Sequence, residues 1–125
     1  MRVVDAGVVV ELLAGGLDPE LLGDEDLAAP HLIDSEVTNV LRGLVRREQL
    51  TEQQGVQALR GFADLLIERY PADWLRLRMW DLRHNLSAYN ATYVALTELS
   101  EATSLVTTDI RLSRASGIRC QVEVL

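Results

Sequence analysis

Residues 2–16 read RVVDAGVVVELLAGG, and the division of this stretch decides the fold. Arg2-Val3-Val4 is a short β-branched run of the kind found in buried strands, and it stops at an acid, Asp5. Val8 to Ala14 then continues as a helix, which Gly15-Gly16 stops. A strand, an acid and a helix in immediate succession are the opening of an α/β chain.

The rest of the chain repeats the alternation. Asp18-Pro19-Glu20 starts a short helix, with Pro in the first helical position. Leu27 to Pro30 is an extended piece. From Ile33 to Glu48 the apolar residues Ile33, Val37, Val40, Leu41, Leu44 and Val45 fall on one helical face. Thr51 and Gln54 form a capping-box pattern, and Val56, Leu59, Ala63 and Leu66 make the apolar stripe expected behind it. Ile67 to Tyr70 reads as a strand closed by Pro71. Ala72 to Leu86 reads as one helix with Leu75, Met79, Leu82 and Leu86 in register, and with Trp74 and Trp80 assigned to the core. Ser87 to Glu101 is apolar nearly all round, as in a buried helix. Ser104 to Thr107 is a strand, Ile110 to Ala115 a short helix, and Gln121 to Leu125 a last strand. The expected fold is three-layer α/β/α, with a central, mainly parallel sheet of about five short strands. One domain over residues 1–125 is expected.

Composition narrows the function. The net charge of −7 excludes a simple basic nucleic-acid binder. It agrees with an acidic cluster that holds divalent cations, and with attraction of a basic partner. A single cysteine, Cys120, leaves no internal disulfide and suits a reducing cytosol. No run approaches the ~20 apolar residues of a membrane span, and Asp5 and Glu11 interrupt the N-terminal apolar stretch where a signal core would be continuous. A cytoplasmic protein with no membrane contact is expected.

In parallel α/β sheets ligands sit beyond the carboxyl ends of the strands. Asp5 closes the first strand and Asp109 follows Leu105-Val106-Thr107-Thr108 at the end of a later one. If both strands are central, the carboxylates share one crevice, where mutual repulsion favours a divalent cation, Mg²⁺ or Mn²⁺. Glu36, at the border of its helix's apolar stripe and assigned to the first turn, is the third candidate. Asn90, three residues after the N-cap Ser87, is the fourth, with an amide oxygen that can ligate a hard cation but brings no charge. Taken singly, each of the four also reads as a helix cap or a solvated first-turn residue. That local reading leaves the recurrence of acids at strand ends unexplained. His31 and His84 lie in unrelated segments and form no triad, and Gly15-Gly16 lacks the Lys of a phosphate loop.

Four segments carry a resemblance. They are Val3-Val4-Asp5-Ala6, Pro30 to Val37 with Leu41-Arg42, Leu86 to Glu98, and Leu105 to Leu112. In order and nearly end to end, they resemble the motifs of PIN-domain ribonucleases, in particular VapC-like toxins of VapBC-type toxin–antitoxin pairs. The resemblance implies a Mg²⁺- or Mn²⁺-dependent endoribonuclease that cuts RNA and so inhibits growth or translation. It also implies a cognate VapB-like antitoxin and a homodimer. By motif match Asp5, Glu36 and Asp109 are catalytic and, with Asn90, metal-binding, while Thr107 and Arg111 support the fourth motif. Two positions depart from the pattern. Asn90 stands where the family carries Asp, and Gly7 where it commonly carries Ser or Thr. The amide removes one charge from the site, so weaker metal binding and slower cleavage are expected. The alternative is a catalytically weakened PIN fold acting as an antitoxin- or RNA-binding module. A receiver-like signalling domain fits less well, since paired acids after the first strand are missing and the chain has no Lys. For RNA, Arg42, Arg46 and Arg47 on the exposed side of the Glu36 helix are the candidate backbone contacts, with Arg69, Arg76, Arg78 and Arg83 nearby. Leu12-Leu13 and Leu21-Leu22 are candidates for a groove that seats the antitoxin.

Overall fold

The computed structural model describes residues 1–125. Five strands, β1 (Arg2–Val4), β2 (Leu27–Pro30), β3 (Ile67–Tyr70), β4 (Ser104–Thr107) and β5 (Val122–Val124), form one sheet in the order β3-β2-β1-β4-β5. Every neighbouring pair is parallel. The helices are α1 (Ala6–Leu13), α2 (Leu32–Arg46), α3 (Glu52–Asp64), α4 (Arg76–Asp81), α5 (Ala88–Leu99) and α6 (Ile110–Ser113). Helices α1, α2 and α3 pack on one another, and α4 packs on α5, giving the two outer layers of the expected α/β/α arrangement. No helix is long and apolar enough to cross a membrane.

Strand β1 lies at the centre because it can be buried on both faces. Val3 and Val4 are fully enclosed, as are their register partners Leu105 and Val106 on β4. The one charged residue on this strand, Arg2, reaches over β4 to Glu123 on β5 (2.6 Å), whose carboxylate also accepts from Ser104. Helix α5 is enclosed from Ala91 to Thr97, in line with its all-round apolar pattern. Burial pushes the Cys120 thiol up to about 11, so it is protonated at neutral pH.

Three local expectations are corrected. The buried face of α3 is Gly55, Ala58 and Phe62, while Val56 and Leu59 are 48% and 39% exposed and Leu66 is 91% exposed. The reason is close packing. A Cβ on Gly55 would stand 3.2 Å from Val45 Cγ2, and one on Gly61 3.2 Å from Leu13 Cδ2, so the glycine side of α3 is the one that fits against its neighbours. Residues 72–86 are not one helix. A 3-10 turn (Asp73–Leu75) leads into α4, which ends at Asp81; beyond it the fully enclosed Leu82 side chain and the Asn85 amide bond to the Ser116 carbonyl (2.9 Å) hold the chain in turns. Because Leu75 and Leu82 are the residues that enter the core, Trp74 and Trp80 point outward. They are 45% and 65% exposed, Trp74 donating to the Pro71 carbonyl and Trp80 lying 4.4 Å under the Arg83 guanidinium.

Candidate active site

The order of strands reverses between β1 and β4, which places the crevice of a parallel sheet at their carboxyl ends. Asp5 and Asp109 follow those two ends. Asp5 caps α1, its Oδ1 accepting from the Val8 N–H at 3.0 Å. Asp109 caps α6, its Oδ1 accepting from the Arg111 N–H at 2.9 Å. So both acids serve as caps as well, and capping fixes where each carboxylate stands.

Thr107 joins them. Its side chain is fully enclosed; the hydroxyl donates to Asp5 Oδ2 and accepts from the Asp109 N–H at 3.0 Å. Burial raises the Asp5 carboxyl above its ordinary 3.8. The Thr107 and Val8 hydrogen bonds work against the rise, and the nearby Asp109 charge adds to it. No basic side chain pairs with Asp5. Arg111 stands 3.4 Å from Asp109, but its own side chain is 89% exposed.

Glu36 lies in the second turn of α2, not the first as expected, because the helix already begins at Leu32. The first-turn acid is Asp34, held by both arms of Arg69 at 2.7 and 2.8 Å. Glu36 Oε1 accepts from the Tyr93 hydroxyl at 2.6 Å, and Tyr93 is only 2% exposed. Burial and the Glu36 carboxylate push the Tyr93 phenol far up, and the charge of Asp5 adds to the effect. Tyr93 carried no role in the sequence reading. The signal available was its position on the α5 face that also holds Asn90, one turn earlier (i, i+3). Asn90 sits in the first turn of α5, its N–H donating to Ser87 Oγ at 3.2 Å and its side chain exposed.

The donor chemistry suits a hard divalent cation: carboxylate oxygens near one another, half-buried, with no cationic side chain on Asp5. As the side chains stand, no three of the His, Cys, Asp and Glu groups converge tightly enough to hold one ion. Thr107 brings Asp5 and Asp109 together, whereas Glu36 is bound to Tyr93 and the Asn90 side chain is exposed.

The arginines separate into groups. Arg42 and Arg46 flank an apolar groove of about 320 Å³ between α2 and α3, lined by Leu41, Val45, Val56 and Leu59. Arg47 folds back over Gly43. Arg78 is 11% exposed and is bound to Glu98 (2.8 and 3.1 Å) and to the Gly117 carbonyl, so its guanidinium is committed within the protein. The leucine pairs are not joined in one groove: Leu22 is buried, Leu12 and Leu13 are partly buried against the core, with Leu13 lining a small cavity beside Ala58 and Gly61, and Leu21 is exposed.

The chain matches no family model. It is 42% identical to Ribonuclease VapC9 of Mycobacterium tuberculosis over 126 residues, covering 100% of this chain and 98% of that protein. Ribonuclease VapC1 of the same organism is 38% identical over 133 residues, covering 98% and 96%. Among solved structures, PAE2754 from Pyrobaculum aerophilum superposes with a TM-score of 0.74 at 23% identity, over 98% of this chain and 83% of that one. Mycobacterium tuberculosis VapC20, described as a sarcin–ricin loop cleaving toxin, does so with a TM-score of 0.67 at 16% identity, over 95% and 97%.

Proposed function

The chain belongs to the VapC ribonuclease family, and on that premise we propose that it is a Mg²⁺- or Mn²⁺-dependent endoribonuclease. In this reading it is the toxin of a type II toxin–antitoxin pair, acts in the cytoplasm, folds as one domain and pairs with itself and with a VapB-like antitoxin. The observation that carries the reading is the junction at Thr107, where two strand-end acids share one enclosed hydroxyl and have no cation on Asp5.

Asp5, Glu36 and Asp109, with the amide oxygen of Asn90, would hold the ion. A divalent ion in such a site supplies Lewis-acid activation of water and offsets charge building on a phosphodiester. The chain's own contribution is positional. Thr107 fixes the Asp5 carboxylate and the start of the Asp109 turn; Tyr93 fixes Glu36 from below; Arg111 steadies Asp109. The Asn90 amide leaves the site one negative charge short of a four-acid set, so cation binding is weaker. For the antitoxin, the α2–α3 groove is the better seat than the leucine pairs, because Val56 and Leu59 stand exposed along it.

The test is cleavage of total cellular RNA with Mg²⁺ or Mn²⁺, with an EDTA control, by this chain beside Asn90→Asp and Asp5→Ala. Cutting by this chain as well as by Asn90→Asp, stopped by EDTA and absent from Asp5→Ala, supports the reading. No cutting by any of them refutes it. A second reading, a weakened fold that binds RNA or antitoxin without cutting, is favoured by the same amide and by the lack of three converging acids. It predicts cutting only after Asn90→Asp.

A further inference from the structure

Beyond the acid crevice, a cavity of about 670 Å³ opens at the carboxyl ends of β2 and β3. Its volume falls in the ~300–1,000 Å³ range of small-ligand sites. Apolar residues line it from Pro30 at the end of β2 to Met79 on α4, and His31 and Asp73 are its ionisable lining residues. The Tyr89 ring borders it and is 63% exposed. Thr92 completes the wall, its hydroxyl already committed to the Ala88 carbonyl at 2.7 Å.

The cavity shares two elements with the proposed active site: the start of α2, the helix that carries Glu36, and the start of α5, which carries Asn90 and Tyr93. Tyr89 adjoins Asn90, Thr92 adjoins the Tyr93 that holds Glu36, and His31 lies just over one helical turn before Glu36. A single-stranded chain bound at the acids would run past the starts of α2 and α5, which border this opening. Sequence-tolerant RNA binding uses exposed aromatic faces for stacking, and base identity is read by hydrogen bonds to base edges. An aromatic face, apolar walls, one donor-acceptor imidazole and one carboxylate acceptor match that chemistry.

We propose that this cavity receives a nucleobase of the single-stranded RNA next to the scissile phosphate, with Tyr89 as the stacking platform and His31 and Asp73 at the base edge. The proposal rests on the ribonuclease reading above.

The test measures binding apart from cutting. Fluorescein-labelled A10, C10 and U10 oligoribonucleotides are titrated in anisotropy experiments, in Ca²⁺ and again in EDTA, against the parent chain, Tyr89→Ala, Tyr89→Trp and Asp73→Asn. Loss of one stacked base predicts roughly 5- to 150-fold weaker binding by Tyr89→Ala. Tyr89→Trp is expected to restore affinity, which a merely structural role for the phenol would not allow. Asp73→Asn is expected to change the ranking of the three oligomers. If the parent binds and cuts RNA while Tyr89→Ala binds like the parent, the base site is refuted and the ribonuclease reading stands. If Tyr89→Ala alters only the sedimentation equilibrium of the protein, the patch joins two copies and the proposal also fails. If the parent neither binds nor cuts any RNA, both readings fall together.

Discussion

Thr107→Val isolates the hydroxyl that joins the two strand-end acids. The substitution keeps the β-branched shape that suits a fully enclosed strand position and removes only the oxygen. Two interactions disappear: the donor to Asp5 Oδ2 and the acceptor for the Asp109 N–H. A hydrogen bond to a charged group contributes about 1.5–3 kcal/mol and an ordinary one about 1 kcal/mol. With partial access of water to Asp109, the sum is roughly 2–4 kcal/mol. At a urea slope of about 2 kcal/mol/M, the midpoint falls by roughly 1–2 M. The effect depends on pH in a defined direction. The folded Asp5 carboxyl titrates above its unfolded 3.8, so between those values the folded state binds more protons and stability falls as pH rises. The Thr107 hydrogen bond limits that rise; without it the folded value climbs further, the window widens, and the loss in Thr107→Val is larger at pH 7 than at pH 4. Urea unfolding at the two pH values, with Thr107→Ser as the hydroxyl-retaining control, reads this directly. Equal losses at both pH values, or a loss under ~0.5 kcal/mol, would show that the hydroxyl does not hold the acids together.

Three further outcomes follow from the geometry. Glu98→Ala strands the Arg78 charge, which is 11% exposed, and is expected to cost about 3–5 kcal/mol. Taking ~2.1 cal/mol/K per residue over 125 residues, that is a fall of roughly 11–19 °C in calorimetric Tm, and Arg78→Met with Glu98→Leu should recover most of it. At Gly7 a Cβ would stand 2.6 Å from Thr108 Oγ1, so Gly7→Ala alone is expected to be close to neutral. In a Thr108→Ala background the same change should stabilise α1 by about 0.5–1 kcal/mol; additivity in a double-mutant cycle would count against the clash. Ser104 and Arg2 hold the Glu123 carboxyl below its ordinary 4.5, so its stabilising effect is present above 4.5 and is lost as pH falls through the lower folded value. Glu123→Gln should therefore flatten the acid limb of a pH–stability curve and leave the neutral region's slope unchanged.

How much of this was legible beforehand differs by element. The strands, the buried helix α5 and both strand-end acids were readable because periodicity and β-branching report burial, and because a parallel sheet leaves its crevice at one known end. The exposed aromatics were not, since a tryptophan at helical spacing looks the same on either side of a six-residue helix. The buried face of α3 was misread for a related reason. Hydrophobicity favoured Val56 and Leu59, whereas the glycines decided which side could approach α2 and α1.

By itself, the sequence determined the alternation of strands and helices and the capping positions of Asp5 and Asp109. These are local facts, carried by residue type and spacing. Only the tertiary structure decided which groups meet: Thr107 between two acids 104 positions apart, Tyr93 on Glu36, and Arg78 withdrawn to Glu98. Such pairings depend on which strands become neighbours and which helix faces can close on each other. Those outcomes are set by packing over the whole chain, which no window of sequence contains.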